Sequence, residues 1–168
     1  KFIKLMNNDE VVGVEILNGN SDLLVLTSNG NSSFFNENEL TILSAKASGV
    51  KAINNLGKYS AVSLIAFDSE EKSKIALVTD KGHYRIADIS RFTKTARLGR
   101  VINLLPCFKN DIHMLIGAGK IFKDDNNAWI YIYLSSKCMK QYIFLYILLS
   151  NMIYPLFVLW KRKKSSML

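Results

Sequence analysis

Cysteine and histidine are scarce in this chain, and their scarcity removes whole classes of chemistry. Cys107 and Cys138 are the two cysteines, 31 residues apart, with no CxxC pair and no histidine at ligand spacing. A zinc ribbon or redox dithiol is therefore not expected. Two reduced thiols fit a cytosolic compartment. His83 and His113 have no neighbouring cysteine or acid at nucleophile or zinc spacing, so each reads as structural or surface. No GxxxxGK[ST] phosphate loop and no GxSxG elbow occurs. Tyr59 and Tyr84 lack a nearby acid–base cluster and read as strand packing. The sequon Asn31-Ser32-Ser33 stands alone, without other signs of secretion. No catalytic residue, metal site or cofactor is expected.

Glycine is missing from one end only. All nine glycines lie at or before Gly119, whereas residues 122–168 have none and hold ten of the eighteen aromatics. Charge divides as unevenly. Residues 1–50 carry three basic and six acidic side chains (−3), residues 51–121 twelve and six (+6), and residues 122–168 seven and two (+5), summing to the total of +8. Two chemically different segments, 1–121 and 122–168, meet near Gly119-Lys120-Ile121.

The first segment repeats itself. Leu24-Val25-Leu26-Thr27-Ser28-Asn29-Gly30 returns as Ala76-Leu77-Val78-Thr79-Asp80-Lys81-Gly82, so that the threonines and the glycines are each 52 apart. Ser44-Ala45-Lys46 with Val50 returns as Thr95-Ala96-Arg97 with Val101, 51 apart. A third element begins at Val12, Val62 and Ile112. A fixed period of this length signals stacked supersecondary units, such as propeller blades. Within a unit the apolar runs are too short for helices, and each ends in a polar-polar-Gly tripeptide that can take the positive φ of a hairpin turn. The predicted strands are Val11–Leu17, the run ending at Thr27, the run after Gly30 and Val50–Ile53. Their counterparts are Ala61–Phe67, the run ending at Thr79, the run after Gly82 and Val101–Leu104. Segments 36–42 and 88–92 read as loops or single helical turns. The expectation is an all-β repeat of about two and a half four-stranded blades, with units near 1–50, 51–101 and a partial 102–121.

Unit 2 is the basic one. Lys72, Lys74, Lys81, Arg85, Arg91, Lys94, Arg97, Arg100 and Lys109 are opposed in that stretch by Asp80 and Asp88. Such a cluster can neutralise several phosphates of a polyanion, giving sequence-independent, salt-sensitive affinity. An ordinary solvated face has the same composition, and composition alone leaves both readings open.

The ordered succession of these pieces resembles the C-terminal domain of the A subunit of type IIA DNA topoisomerases. The resemblance rests on Asp22–Gly30 with Ala45–Ile53, and on Ala76–Gly82 with Thr95–Arg100. A Gln-Arg-Arg-Gly-Gly-Lys-Gly-like heptad, the gyrase signature, is missing, which places the likeness nearer topoisomerase IV. The resemblance implies a β-pinwheel whose basic rim binds and bends duplex DNA for a catalytic core lying elsewhere in the enzyme. It implies as partners duplex DNA, the ATPase subunit, and the remainder of the A subunit. Carried over by position, the DNA-facing residues are Lys46 and Lys51 in unit 1, and Lys81, Arg85, Lys94, Arg97 and Arg100 in unit 2. One departure is that the strand after Gly30, Asn31-Ser32-Ser33-Phe34-Phe35, has no basic residue.

The second segment falls outside that resemblance. Gln141 to Trp160 is twenty residues without a charge, followed by Lys161-Arg162-Lys163-Lys164. As a helix it is long enough to cross a bilayer, at roughly 30 Å. The basic cluster would then be cytoplasmic and residues 1–121 outside, away from any chromosome. Three expectations follow for 122–168: a frame-shifted tail, a membrane helix over 141–160, or a soluble helix packed on the blades. They carry two alternatives to a cytoplasmic DNA-binding module, namely a membrane-anchored β-repeat interaction module and a truncated, inactive gene product.

Overall fold

A computed structural model describes residues 5, 9–44, 47–54, 56–105 and 112–121, and the backbone of 129–134, 143–149 and 152–156. Ten strands are present in these parts: β1 (Ser21–Thr27), β2 (Asn31–Asn36), β3 (Ala61–Asp68), β4 (Lys74–Thr79), β5 (Tyr84–Asp88), β6 (Ile102–Asn103), β7 (Leu115–Ile121), β8 (Trp129–Leu134), β9 (Ile143–Leu149) and β10 (Met152–Leu156). They form three antiparallel sheets, ordered β3-β1-β2-β6, β5-β4-β7 and β10-β9-β8. The all-β expectation holds.

Both expected hairpins are there. Gly30 closes β1–β2 at φ +80° and Gly82 closes β4–β5 at φ +78°, the left-handed region that a Cβ disfavours. Each threonine before the turn, Thr27 and Thr79, donates its hydroxyl across it, to the carbonyls of Asn31 (3.0 Å) and His83 (3.3 Å). Each outgoing strand ends in one 3₁₀ turn, Glu37–Glu39 or Ile89–Arg91, capped by the side chain of Asn36 or Asp88.

The sheets do not coincide with the sequence units. β3 is the first strand of the second repeat, yet it pairs along the first repeat's β1, with Leu24 opposite Ile65. β6, near the end of the second repeat, covers the outer edge of β2, with Ser32 opposite Ile102. Likewise β7, from the partial third repeat, pairs with β4. The first hairpin is thus flanked on both edges by strands from the next copy, and the second on its β4 side. The expected strands Val11–Leu17 and Val50–Ile53 form no ladder pairing, and Ile53 lies in a bend. By the same rule, their place would be in a sheet one repeat earlier.

This interlocking explains the burial. β1 is buried along its whole length, and β4 at all residues but Lys74. Strands covered on both faces read as continuous apolar runs, not alternating ones. The main core lies between the first two sheets, where Leu24, Leu26, Phe34 and Phe67 meet Ile75, Leu77 and Leu115. Phe34 packs edge-on against Phe67 at 6.3 Å and Phe92 at 6.4 Å between ring centroids. A second cluster, Leu23, Val25, Phe35 and Ile53, fills the far side of the first sheet. Ser63 Oγ accepts from Ala118 N–H and donates to its carbonyl, both at 3.2 Å, tying β3 to β7.

The tail departs from the helical expectation. Residues 143–149 and 152–156, inside the segment expected to cross a membrane, are antiparallel strands paired to each other, with Ile147 opposite Tyr154. β9 pairs on its other side with β8. No helix among the described residues is long and apolar enough to cross a membrane. Ile- and Tyr-rich runs fit a pleated sheet, and Pro155 lies in β10, an edge strand, where sheets accommodate proline.

Candidate nucleic-acid interface

The connection from Phe92 to Leu105 leaves the second sheet and lies across the first. Thr95 N–H donates to the Phe34 carbonyl at 2.8 Å, Asn54 Nδ2 to the Leu98 carbonyl at 2.5 Å, and Leu104 N–H to the Gly30 carbonyl at 2.8 Å. This crossing sets where the basic residues stand.

Arg97 is half-buried at the joint. Its Nε donates to the Glu39 carbonyl at 3.1 Å and its Nη1 to the Lys51 carbonyl at 2.6 Å, while its own N–H donates to the Glu39 carboxylate at 2.5 Å. The guanidinium therefore staples the connection to the first repeat. Lys94 is also engaged, with Nζ 2.5 Å from Asp22 Oδ2, a carboxylate only 3% exposed. That pairing is what permits an acid inside the first sheet, since an unpaired buried charge would cost several kcal/mol, roughly 3–5.

The other expected residues face solvent. Lys51 is exposed beside the Arg97 contact, and Arg100 is exposed three residues further along. Lys81 is exposed in the β4–β5 turn. Arg85, on β5, is exposed and donates Nη1 to the Leu104 carbonyl at 3.1 Å. Lys46 lies outside the described residues, as does Lys109. Arg91 belongs with this group although position-by-position resemblance passes over it. It lines, with Arg85, Phe92, Ile102, Asn103 and Leu104, a groove of about 160 Å³ between β5 and the crossing chain. From Arg100 to Leu104 the extended chain reaches at most about 14 Å, so the Lys51–Arg97–Arg100 end and the Arg85–Arg91 end belong to one neighbourhood.

The departure noted in the first repeat has a structural reason. Arg85 is the counterpart of Ser33, 52 residues earlier, which is buried in the first sheet. A cation there would be desolvated. In the second repeat the same position lies open, so the surface offers charge from that copy.

Two features escape a reading by spacing. His83 and His113, thirty residues apart, stack edge-on at 4.7 Å, with Thr79 Oγ1 3.3 Å from His113 Nδ1. No group of three or more His, Cys, Asp or Glu suited to a metal occurs among the described residues. The second is Glu71. Burial works to raise its pKa, but hydrogen bonds from Lys120 Nζ (2.5 Å), Ser73 Oγ and Asp68 N–H (3.2 Å) outweigh it and hold the carboxyl below its ordinary value.

A first antiparallel sheet completed on both edges by strands of the next repeat, a second joined on its β4 side by the copy that follows, and a basic chain crossing between them define the chain as a β-pinwheel repeat protein. No protein-family model matches it. The crystal structure of the C-terminal domain of DNA topoisomerase IV superimposes with a TM-score of 0.70 at 29% identity, over 84% of this chain and 42% of that one. The A subunit of DNA topoisomerase 4 from Bacillus subtilis (strain 168) is 30% identical over 114 residues, 68% of this chain and 14% of that protein. The Staphylococcus epidermidis (strain ATCC 12228) counterpart is 29% identical over 128 residues, 76% of this chain and 16% of that protein. The DNA gyrase A subunit of the same organism is 30% identical over 100 residues, 60% and 11%. The chain is homologous to the C-terminal domain of the A subunit of topoisomerase IV and its gyrase relatives, and spans about one seventh of the length of the topoisomerase relatives it matches.

Proposed function

We propose that this chain is a duplex-DNA-holding module of a type IIA topoisomerase, and that it does no strand cleavage itself. The likeness to the topoisomerase IV C-terminal domain carries this reading, and the exposed cations of the second repeat, with Lys51 of the first, supply its mechanism. Lys51, Lys81, Arg85, Arg91 and Arg100 lie against phosphates of one duplex. Lys94 and Arg97 are left out of that set because Lys94 is paired with the buried Asp22 and Arg97 is half-buried across two backbone carbonyls, whereas Arg85, bonded to one carbonyl, stays exposed. Contacts of this kind position the duplex without reading its sequence. Curving the duplex over the blade edge to reach both ends of the basic neighbourhood favours easily deformed sequences. The ATPase subunit, together with the remainder of the A subunit, receives the held segment in the cytoplasm.

Five phosphate contacts give a log–log salt slope near −4.5, hence a roughly 500-fold loss of affinity between 50 and 200 mM salt. The triple variant Arg85→Glu/Arg91→Glu/Arg100→Glu is expected to bring the slope to about −2 and to bind mixed-sequence duplex DNA far more weakly. Fluorescence anisotropy across a salt series measures both. An unchanged slope in the triple variant rejects the assignment.

A further inference from the structure

The two histidines of the chain, remote in sequence, are brought together by the second sheet. His83 stands between Gly82 and β5, and His113 lies just ahead of β7. Both are pinned through the backbone. Thr79 N–H donates to the His83 carbonyl at 2.9 Å. Next to His113, the Met114 carbonyl accepts from Asp80 N–H and Met114 N–H donates to Asp80 Oδ1, both at 2.9 Å. The rings meet edge-on, with centroids 4.7 Å apart and planes at 68°. In the first repeat the bond matching Asp80 to Met114 runs from Ser28 to Ser60, which makes Asn31 and Tyr59 the counterparts of His83 and His113. Of the two copies, only the second carries imidazoles at these places.

The hydroxyl of Thr79 places the proton on His113. It has one hydrogen, given to the His83 carbonyl at 3.3 Å. Its oxygen, 3.3 Å from His113 Nδ1, is therefore the acceptor in that contact. Neutral His113 then carries its proton on Nδ1 and its lone pair on Nε2. Metal-holding histidines have this arrangement, one ring nitrogen donating to a fixed oxygen and the other presenting the lone pair.

The spacing of the rings suits one shared ion. An imidazole nitrogen lies about 2.0–2.1 Å from Zn²⁺, which puts each ring centre about 3.2 Å from the metal. Two such rings are about 4.5 Å apart when they bind at a right angle, and about 5.2 Å apart at the tetrahedral angle. The observed 4.7 Å falls between these limits. Beside the pair is a cavity of about 220 Å³, walled also by Leu77, Tyr84, Arg85 and Leu105, which has room for coordinated water. Asp80 favours a cation here. Lys81 in the turn and Arg85, whose Nη1 is drawn to the Leu104 carbonyl at 3.1 Å, oppose one. Charge thus lowers the affinity, and coordination by two nitrogens supplies it.

We propose that His83 and His113 form a two-imidazole site for an exchangeable late first-row divalent cation, Cu²⁺, Ni²⁺ or Zn²⁺, with water completing the coordination. Imidazole suits these ions, and Cu²⁺ is held most tightly of the three. Mg²⁺ and Ca²⁺ take oxygen ligands and are excluded. A bound ion ties the β4–β5 turn to the start of β7, and so stabilises the folded chain.

Calorimetric titration of the full chain tests this, in a Cys107→Ser/Cys138→Ser parent so that thiolates cannot be the ligands. The parent is expected to bind one Cu²⁺ or one Zn²⁺, Cu²⁺ more tightly, and to give no heat with Mg²⁺. Affinity should fall as pH is lowered, because a protonated imidazole has no lone pair. Zn²⁺ should raise the urea midpoint of the parent, and Mg²⁺ should not. His83→Ala removes an exposed ligand and should weaken binding at least about tenfold. Thr79→Val keeps both imidazoles but loses the acceptor that fixes the tautomer, and should weaken binding about 10–100-fold. Electron paramagnetic resonance of the Cu²⁺ complex should show nitrogen couplings from two imidazoles in the parent and one in His83→Ala. A parent that binds neither ion at millimolar concentration, either variant binding as tightly as the parent, or coupling to a single imidazole in the parent would overturn the proposal and leave the ring contact as packing alone.

Discussion

Arg97 distinguishes a structural cation from a phosphate ligand, and its replacement by alanine gives the two roles opposite signatures. The guanidinium makes two charge-assisted hydrogen bonds to carbonyls, at Glu39 and Lys51. Bonds of this kind contribute about 1.5–3 kcal/mol each when well shielded. Arg97 is half-buried, and both carbonyls can be reached by water once it is gone, so the lower end applies to each. About 2–3 kcal/mol of stability should be lost. For a domain of this size that lowers the melting temperature by roughly 5–10 °C. Urea unfolding gives the midpoint and slope, and DNA titration at two salt concentrations gives the electrostatic contribution. The expected result for Arg97→Ala is a lower urea midpoint with a salt slope close to wild type. Arg97→Lys keeps the charge but cannot span both carbonyls with a planar fork, so it should resemble alanine in stability. An unchanged midpoint, together with a salt slope reduced by about one unit, would refute the staple.

The hairpin glycines and one carboxylate provide further tests. Gly30→Ala forces a Cβ into φ +80° and against Leu105, costing about 1–2 kcal/mol of backbone strain and about 1–3 kcal/mol of overpacking. Gly82→Ala meets no atom within 4 Å among the described residues and carries only the strain of about 1–2 kcal/mol, so equal unfolding midpoints for the two variants would contradict the close approach of Leu105 to Gly30. Because Glu71 is held below its ordinary pKa of 4.5, its contribution is present above that value and is lost as pH falls through the folded-state pKa. Stability of the wild type should therefore fall more steeply on acidification than that of Glu71→Gln, and parallel stability–pH curves from urea unfolding would contradict the Lys120–Ser73 cradle. Glu15, raised mainly by burial, acts with the opposite sign, so Glu15→Gln should gain stability at neutral pH.

The hairpins were legible because everything that makes them is local. A buried run, a threonine, two polar residues and a glycine lie within one stretch of chain, and each copy repeats the pattern. Sheet membership was not legible. Ala61–Phe67 looks the same whether it pairs with its own unit or the one before, since register depends on which apolar face must be covered, and both choices cover it. The basic cluster could be found by counting, but counting does not tell Arg100 from Arg97. The carbonyls that hold Arg97 lie 58 and 46 residues away in sequence. Arg91 entered the groove only through the crossing of Ile102–Leu104. In the tail, twenty uncharged residues suggested a helix by length alone, whereas its tyrosines and isoleucines suit strands, and the pairing of β9 with β10 follows them.

The borrowing of flanks by each hairpin from the copy that follows has a consequence during synthesis. Asn31 must wait for Asn103 to emerge before its outer ladder bonds can form. At a translation speed of about 5–20 residues per second, those seventy-odd residues take roughly 4–14 s. Over the same stretch the roof above Leu24 and Leu26 arrives in stages, Phe67 first, then Ile75 and Leu77 about fifty residues behind them, and Leu115 last, so the nascent hairpin carries a partly open apolar face throughout.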